Sequence, residues 1–189
     1  MLGALFGLKA EDGYRRHRVA YIEAGKGSGK TPLQAGIGLY MLIADAEPGA
    51  QIVFAAFNQR QASIAFADAV SMVRRSESLS KVIEIYGASN PQSLLVPARE
   101  AWMKPVSKES RGLHGLRVHC GLMDELHAHP DSFVRDRVFD GMMKQQRQPL
   151  MIEITNAGHD RMSVCWAHHE YSRKVLEGLI DDPSWFAFV

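Results

Sequence analysis

The segment that most narrows the possible folds is Ala24-Gly25-Lys26-Gly27-Ser28-Gly29-Lys30-Thr31, directly behind the apolar run Val19-Ala20-Tyr21-Ile22. An apolar strand that ends in a glycine-rich turn and opens a helix is a near-match to a phosphate-binding P-loop. The residue types follow from the chemistry. Glycines let backbone N–H groups converge on a phosphate without Cβ clashes. A lysine brings a point charge to the β/γ-phosphates. A threonine hydroxyl ligates Mg²⁺, and the helix behind it turns its positive end to the anion. The candidates are therefore Gly25, Lys26, Gly27, Ser28, Gly29, Lys30 and Thr31 for phosphate, with Thr31 also a metal ligand. The strict pattern has Gly where this chain has Ala24, so the loop alone also fits an ordinary glycine-rich turn.

A second element adds to the first. Gly121-Leu122-Met123-Asp124-Glu125 is a short apolar strand ending in two acids. Phosphoryl chemistry needs such a pair beside the phosphate lysine: the first acid holds Mg²⁺, the second polarises the attacking water. The interval from Lys30 to Asp124 has room for a strand, a helix and further strands, as a parallel sheet requires. Two acids at a strand end are also common on surfaces. The order of the two motifs favours a nucleoside triphosphatase.

Bulk properties are permissive. The chain has 189 residues, 46% hydrophobic and 23% charged, which suits one α/β domain with a real core. A net charge of +1 gives no global basic field, so any nucleic-acid contact must come from local patches or from parts outside this chain. Arg15-Arg16-His17-Arg18, Arg74-Arg75 and Arg135 to Arg147 are basic clusters, each also readable as a solvated face. Cys120 and Cys165 lack CxxC spacing and fit buried, reduced thiols of a cytoplasmic protein. No apolar run reaches 18 residues, so no membrane span is expected. The apolar start lacks a basic region and a cleavage site.

Strands and helices alternate. Strands are expected at Val19–Glu23, Gln51–Ala56, Gly121–Asp124, Leu150–Thr155 and from Trp185 to Val189. Short hairpin or insertion strands are expected at Val82–Tyr86 and Ser93–Val96. Helices are expected at Thr31–Ala46, Asn58–Arg75 capped by Asn58, Asp131–Gln146 capped by Asp131 or Ser132, and Asp160–Gly178. The alternation implies a three-layer α/β sandwich on a mainly parallel sheet. Ligands of such sheets sit at the carboxyl ends of strands, where the loop, Asp124-Glu125 and Thr155-Asn156 all fall.

These residues together resemble the ATPase domain of phage terminase large subunits, over almost the whole chain. Phe6-Gly7-Leu8, Gly13-Tyr14-Arg15-Arg16 and Ala20-Tyr21-Ile22-Glu23 look like that family's approach to its P-loop. Glu23 to Thr31 fill the family's own loop pattern, with Lys26 where Arg is usual. Phe54-Ala55-Ala56 with Asn58 and Gln61, Pro105-Val106-Ser107, and Gly112 to Leu116 are similar to its intervening segments. Asp124-Glu125-Leu126-His127 looks like its Walker B with a trailing His, and Ile154 to Gly158 like its coupling motif.

The resemblance implies an ASCE-type P-loop fold and ATP hydrolysis coupled to movement of double-stranded DNA into a procapsid. It implies that Lys30 and the loop bind ATP, that Thr31 and Asp124 hold Mg²⁺, and that Glu125 activates water. Thr155 and Asn156 would sense the γ-phosphate, and Lys26 would stabilise transition-state charge, although Arg is the better fork. An arginine supplied in trans is expected; Arg111 before Gly112 is the nearest match. Gly115 is an alternative aligned glycine, which would leave His114 in the arginine's place, and Arg117 is a further candidate. The implied partners are double-stranded DNA, other large subunits in a ring, the small terminase subunit and the portal protein, in the cytoplasm of an infected host. Residues 1–189 are expected to be one ATPase domain, a fragment without the family's nuclease domain and without the N-terminal segment that carries an adenine-contacting Gln.

The same residues also admit other readings. His127 and His129, joined by Glu125 or His159, could ligate a metal, which would leave the P-loop unexplained. A small-molecule kinase usually lacks the Asp-Glu pair. A docking module silent in hydrolysis is the non-enzyme alternative.

Overall fold

A computed structural model describes residues 1–87, 89–110, 113–144, 147–158 and 160–189, and of His114 the backbone only. A short helix, α1 (Leu2–Gly7), precedes strand β1 (Val19–Glu23) and helix α2 (Lys30–Ile43). Then come β2 (Gln51–Ala55), α3 (Gln59–Arg75), the single turn α4 (Glu77–Ser80), β3 (Glu84–Tyr86), β4 (Ser93–Val96) and β5 (Ala101–Val106). The second half holds β6 (Val118–Met123), α5 (Phe133–Met142), β7 (Leu150–Thr155), α6 (Val164–Leu176) and β8 (Trp185–Phe188).

Among the described residues the strands form one eight-stranded sheet in the order β3-β4-β5-β2-β6-β7-β1-β8. The six strands from β5 to β8 run parallel, and β3 and β4 add an antiparallel extension at one side. The central strands are apolar without a break because both faces are covered. Ala20, Ile22, Ile52, Phe54, Leu122 and Ile152 pack under α2 and α3. Tyr21, Val53, Met123 and Met151 pack under α5 and α6. This is the three-layer α/β sandwich that the alternation of elements implies.

The helices follow their local chemistry. On α3 the spaced positions Ala62, Ala65, Phe66, Ala69, Val70 and Val73 are all buried, and Asn58 caps the helix by accepting from the Gln61 N–H at 2.9 Å. Three helices are shorter than the sequence suggests. α2 stops at Ile43, ahead of Glu47-Pro48-Gly49. α5 starts at Phe133, whose N–H bonds Asp131 Oδ1 at 3.1 Å, and ends at Met142; Gln145 and Gln146 lie outside the described residues. α6 starts after Ser163, whose hydroxyl accepts from the Trp166 N–H at 3.2 Å. Strand β3 begins at Glu84 rather than Val82. Strand β5 was not expected from the sequence.

Two buried ion networks tie the layers. Glu153, fully buried on β7, meets Arg135 of α5 at 2.9 Å and His168 of α6 at 2.5 Å. Burial alone would raise its pKa, but the His168 hydrogen bond and the Arg135 charge outweigh it and hold the carboxyl below the usual range. At the amino end of the sheet, Asp45 joins Arg15 to His119, the latter at 2.8 Å. Cys120 and Cys165 are buried and unpaired. No helix among the described residues is long and apolar enough to cross a membrane.

Candidate active site

β1, β6 and β7 end on the same edge of the sheet, and β7 lies between the other two. The Ala24–Thr31 loop leaves β1, Asp124-Glu125 follow β6, and Asn156 follows β7. The loop is fastened to its neighbour where the Ala24 N–H donates to the Thr155 carbonyl at 3.1 Å. Gly29 ends the loop at φ 77° as the residue before α2, a left-handed conformation that side chains disfavour. Gly27 is also left-handed at φ 82°, so these two glycines serve the turn from β1 into α2.

Lys30 is buried at the start of α2. Its Nζ donates to the carbonyls of Ala24 at 2.8 Å and Gly25 at 3.0 Å, and to Asn156 Oδ1 at 2.6 Å. Asn156 Nδ2 in turn donates to Glu125 Oε2 at 3.0 Å. Residues from three separate strand ends are thereby joined through side chains. Glu125 has a left-handed backbone at φ 49°, and its side chain is 37% exposed. Such strain in a non-glycine residue costs about 1–3 kcal/mol and concentrates at functional sites.

Asp124 has a different environment one residue away. It is buried, and its pKa is pushed up to about 6, first by burial and then by the Glu125 charge, against the pull of Lys30. Its N–H bonds the Ala55 carbonyl at 3.0 Å, which ties the acid pair to β2.

Gly25, Gly27 and Ser28 are exposed in the loop, and Thr31 lies half-buried in the first turn of α2. Lys26 is exposed in the loop and is not drawn into the Lys30–Asn156–Glu125 chain of contacts. Thr155 is fully buried; its Oγ1 donates to the Asn156 carbonyl at 2.9 Å and accepts from the His127 N–H at 3.1 Å. Arg111, with Gly112, lies outside the described residues. Arg117 precedes β6, at the end of that strand away from the acids.

The two histidines of the metal alternative point to different partners. His127 Nδ1 lies 3.1 Å from both Glu125 Oε2 and Thr155 Oγ1, while His129 Nε2 lies 3.3 Å from the Asp124 carbonyl. His159 lies outside the described residues, and among those described no three His, Cys, Asp or Glu side chains gather as a metal site.

Sequence reasoning passed over two contributors. Gln34, fully buried on α2, donates Nε2 to the carbonyl of Met123 at 2.9 Å, just before Asp124, and among the described residues its Oε1 has no partner. The only signal was a polar residue within an inward-facing helical stripe. His169 of α6 lies 2.8 Å from Glu23 Oε2, which also accepts from the Tyr21 hydroxyl at 3.1 Å. No spacing links two residues that far apart in the chain.

A family model described as the terminase large subunit ATPase domain matches residues 1–174. The chain belongs to the terminase large subunit ATPase-domain family. The crystal structure of the HK97 bacteriophage large terminase is similar with a TM-score of 0.77 at 25% identity, over 92% of this chain and 35% of that one. The large terminase ATPase domain of Thermus phage P74-26 gives 0.63 at 20% identity, over 98% of this chain and 82% of that one. The large terminase of a thermophilic bacteriophage in complex with ATP-gamma-S gives 0.64 at 13% identity, over 99% of this chain and 43% of that one. At those identities the last two show the fold alone. Protein YmfN of Escherichia coli (strain K12) is 29% identical over 90 residues, 48% of this chain and 19% of that protein. This terminase ATPase domain therefore spans about a third of the HK97 protein and about a fifth of YmfN.

Proposed function

We propose that this terminase ATPase domain binds ATP with Mg²⁺ at the Ala24–Thr31 loop and hydrolyses it. The observation that carries the proposal is the chain of contacts from Lys30 through Asn156 to Glu125 at the carboxyl edge of the sheet. Lys30 is the group that meets the β/γ-phosphates, with the N–H groups of Gly25, Gly27, Ser28 and Gly29 around them. Glu125, the more exposed acid, accepts a proton from the attacking water. The water oxygen bonds the γ-phosphorus as the bond to the ADP oxygen breaks. Thr155 and Asn156 respond to the γ-phosphate, Lys26 adds charge from the loop, and Arg111 is the arginine offered to a neighbouring subunit. Such an arginine is worth ~10³–10⁵ in rate.

The donor set fits Mg²⁺. Thr31 and Asp124 offer hard oxygens, the Asp124 carboxyl carries a charge that burial disfavours, and Gln34 Oε1 is a buried acceptor without a partner among the described residues. Thr31 and Asp124 would hold the ion, whose charge offsets that of the phosphates.

The chain spans about a third of the HK97 large terminase, and for the whole protein we propose the work of a terminase. Hydrolysis would drive double-stranded DNA into a procapsid, in a ring of large subunits acting with the small subunit and the portal protein, in the host cytoplasm. The test is phosphate release measured against protein concentration, with and without double-stranded DNA. The expected rate rises steeply with both and falls by about 10²–10⁴ in Glu125→Gln. Nucleotide binding without turnover at any concentration would replace the motor with a nucleotide-dependent docking module.

A further inference from the structure

Lys30 has no ammonium proton to spare: its three donors are taken by the Ala24 and Gly25 carbonyls and by Asn156 Oδ1. The other end of the same amide donates to both carboxylate oxygens of Glu125, at 3.0 Å to Oε2 and 3.3 Å to Oε1. Asn156 is thus a neutral dipole between a cation and an anion. The two charges dictate its orientation, because an ammonium only donates and a carboxylate only accepts. Its backbone is fixed as well, since its carbonyl accepts from Thr155 Oγ1 at 2.9 Å. On the far side, Glu125 Oε2 also lies 3.1 Å from His127 Nδ1, so the carboxylate is held from two directions.

We propose that Asn156 is a positioning residue: a spacer that keeps Lys30 and Glu125 from closing a direct ion pair before nucleotide arrives, and that frees both when a phosphate takes Lys30. The proposal rests on reading this edge as a nucleotide site. Remove the amide, and a part-buried ammonium loses its third acceptor while a carboxylate loses its side-chain amide donor. With nothing between them, opposite charges in a part-buried setting pair strongly. An incoming triphosphate must then break an ion pair. With Asn156 in place it breaks one hydrogen bond to a neutral oxygen. When Lys30 turns to the phosphates, the amide is held from the Glu125 side alone. The occupancy of the lysine is in this way passed to the residue that handles water.

The test is the ATP dissociation constant in the presence of Mg²⁺, by titration calorimetry, for the parent, Asn156→Ala, Glu125→Gln and the double variant. Asn156→Ala is expected to weaken binding by about tenfold, and adding Glu125→Gln to restore it to within about twofold of the parent, because the ion-pair partner is gone. Glu125→Gln alone is expected to change affinity by less than about threefold. Asn156→Asp keeps the acceptor for Lys30 but makes it charged. It is expected to weaken binding at least as far, with no restoration by Glu125→Gln. Unchanged affinity in Asn156→Ala overturns the proposal, and so does a loss that Glu125→Gln leaves in place. Parent binding that is absent, or indifferent to Lys30→Ala, overturns the nucleotide site itself and the spacer with it.

Discussion

Asp124 and Glu125 are adjacent in the chain and opposite in environment. The first is buried with its pKa raised to about 6; the second reaches solvent beside Asn156. A raised acid binds its proton below that value, so Mg²⁺-dependent ATP binding is expected to weaken as the pH falls through about 6 and to stay level above it. Calorimetry at a series of pH values checks this. The same shift has a consequence for stability. The unfolded carboxyl ionises near the ordinary value, so between that value and about 6 the folded state retains a proton that the unfolded state has lost. Above about 6 the charged Asp124 is a cost to the nucleotide-free fold. Asp124→Asn is therefore expected to raise the melting temperature at pH 7.5 without nucleotide while removing the Mg²⁺ dependence of binding. A lower melting temperature would mean that Asp124 supports the fold. Glu125→Gln is expected to keep nucleotide binding and to lower turnover by about 10²–10⁴, the usual worth of a general base. At this scale Lys30, Asp124 and Glu125 were legible because each ends or begins an element with a recognisable composition. The contact between Lys30 and Asn156 was not, because a long lysine side chain finds its partners only once three strand ends are in place.

Strands and helices differed in how plainly they could be read. β1 and β7 are apolar runs covered on both faces, and their observed bounds match the expectation. β5 was hidden because Lys104 and Pro105 interrupt it. Its neighbours explain why the proline is tolerated. The Trp102 N–H points to β2, donating to the Ala50 carbonyl at 2.9 Å, so by alternation residues 103 and 105 point to β4. The β4 ladder ends opposite Met103, so the missing donor of Pro105 falls where no partner strand remains. On β6, Gly121 lets α5 approach closely: a Cβ there would lie 2.5 Å from Val138 Cγ1 and 2.9 Å from Met151 Sδ. Gly121→Ala is expected to destabilise by about 1–3 kcal/mol in urea unfolding, the usual cost of overpacking. Three residues before Asp124, it is also expected to weaken nucleotide binding. At the other end of the sheet, Asp45→Asn strips Arg15 and His119 of their shared carboxylate and is expected to cost about 3–5 kcal/mol. The Asp45 pKa is lowered: burial opposes ionisation, but the His119 hydrogen bond and the Arg15 charge prevail. Its contribution is therefore present above the ordinary carboxylate value and lost as the pH falls through the lower folded value. The variant should lack that portion of the acid unfolding curve.

For the molecule as a whole, the strand order matters more than any one element. Placing β7 between β1 and β6 puts a loop, an acid pair and an amide side by side on one edge, although they come from distant parts of the chain. The α/β class and the gathering of the loop, Asp124-Glu125 and Asn156 at the carboxyl edge were legible, since alternating elements and right-handed crossovers leave few arrangements. The order in which the strands lie was not, because apolar strands covered on both faces look alike in composition. The antiparallel pair β3 and β4 was expected only as a hairpin or insertion, and it joins the main sheet through β5. The central claim is that this edge binds nucleotide through Lys30. Its most direct test is a calorimetric titration of ATP with Mg²⁺ into the parent and into Lys30→Ala. Saturable binding in the parent that disappears in the variant is the predicted result. Equal affinity in both would contradict the assignment of the loop.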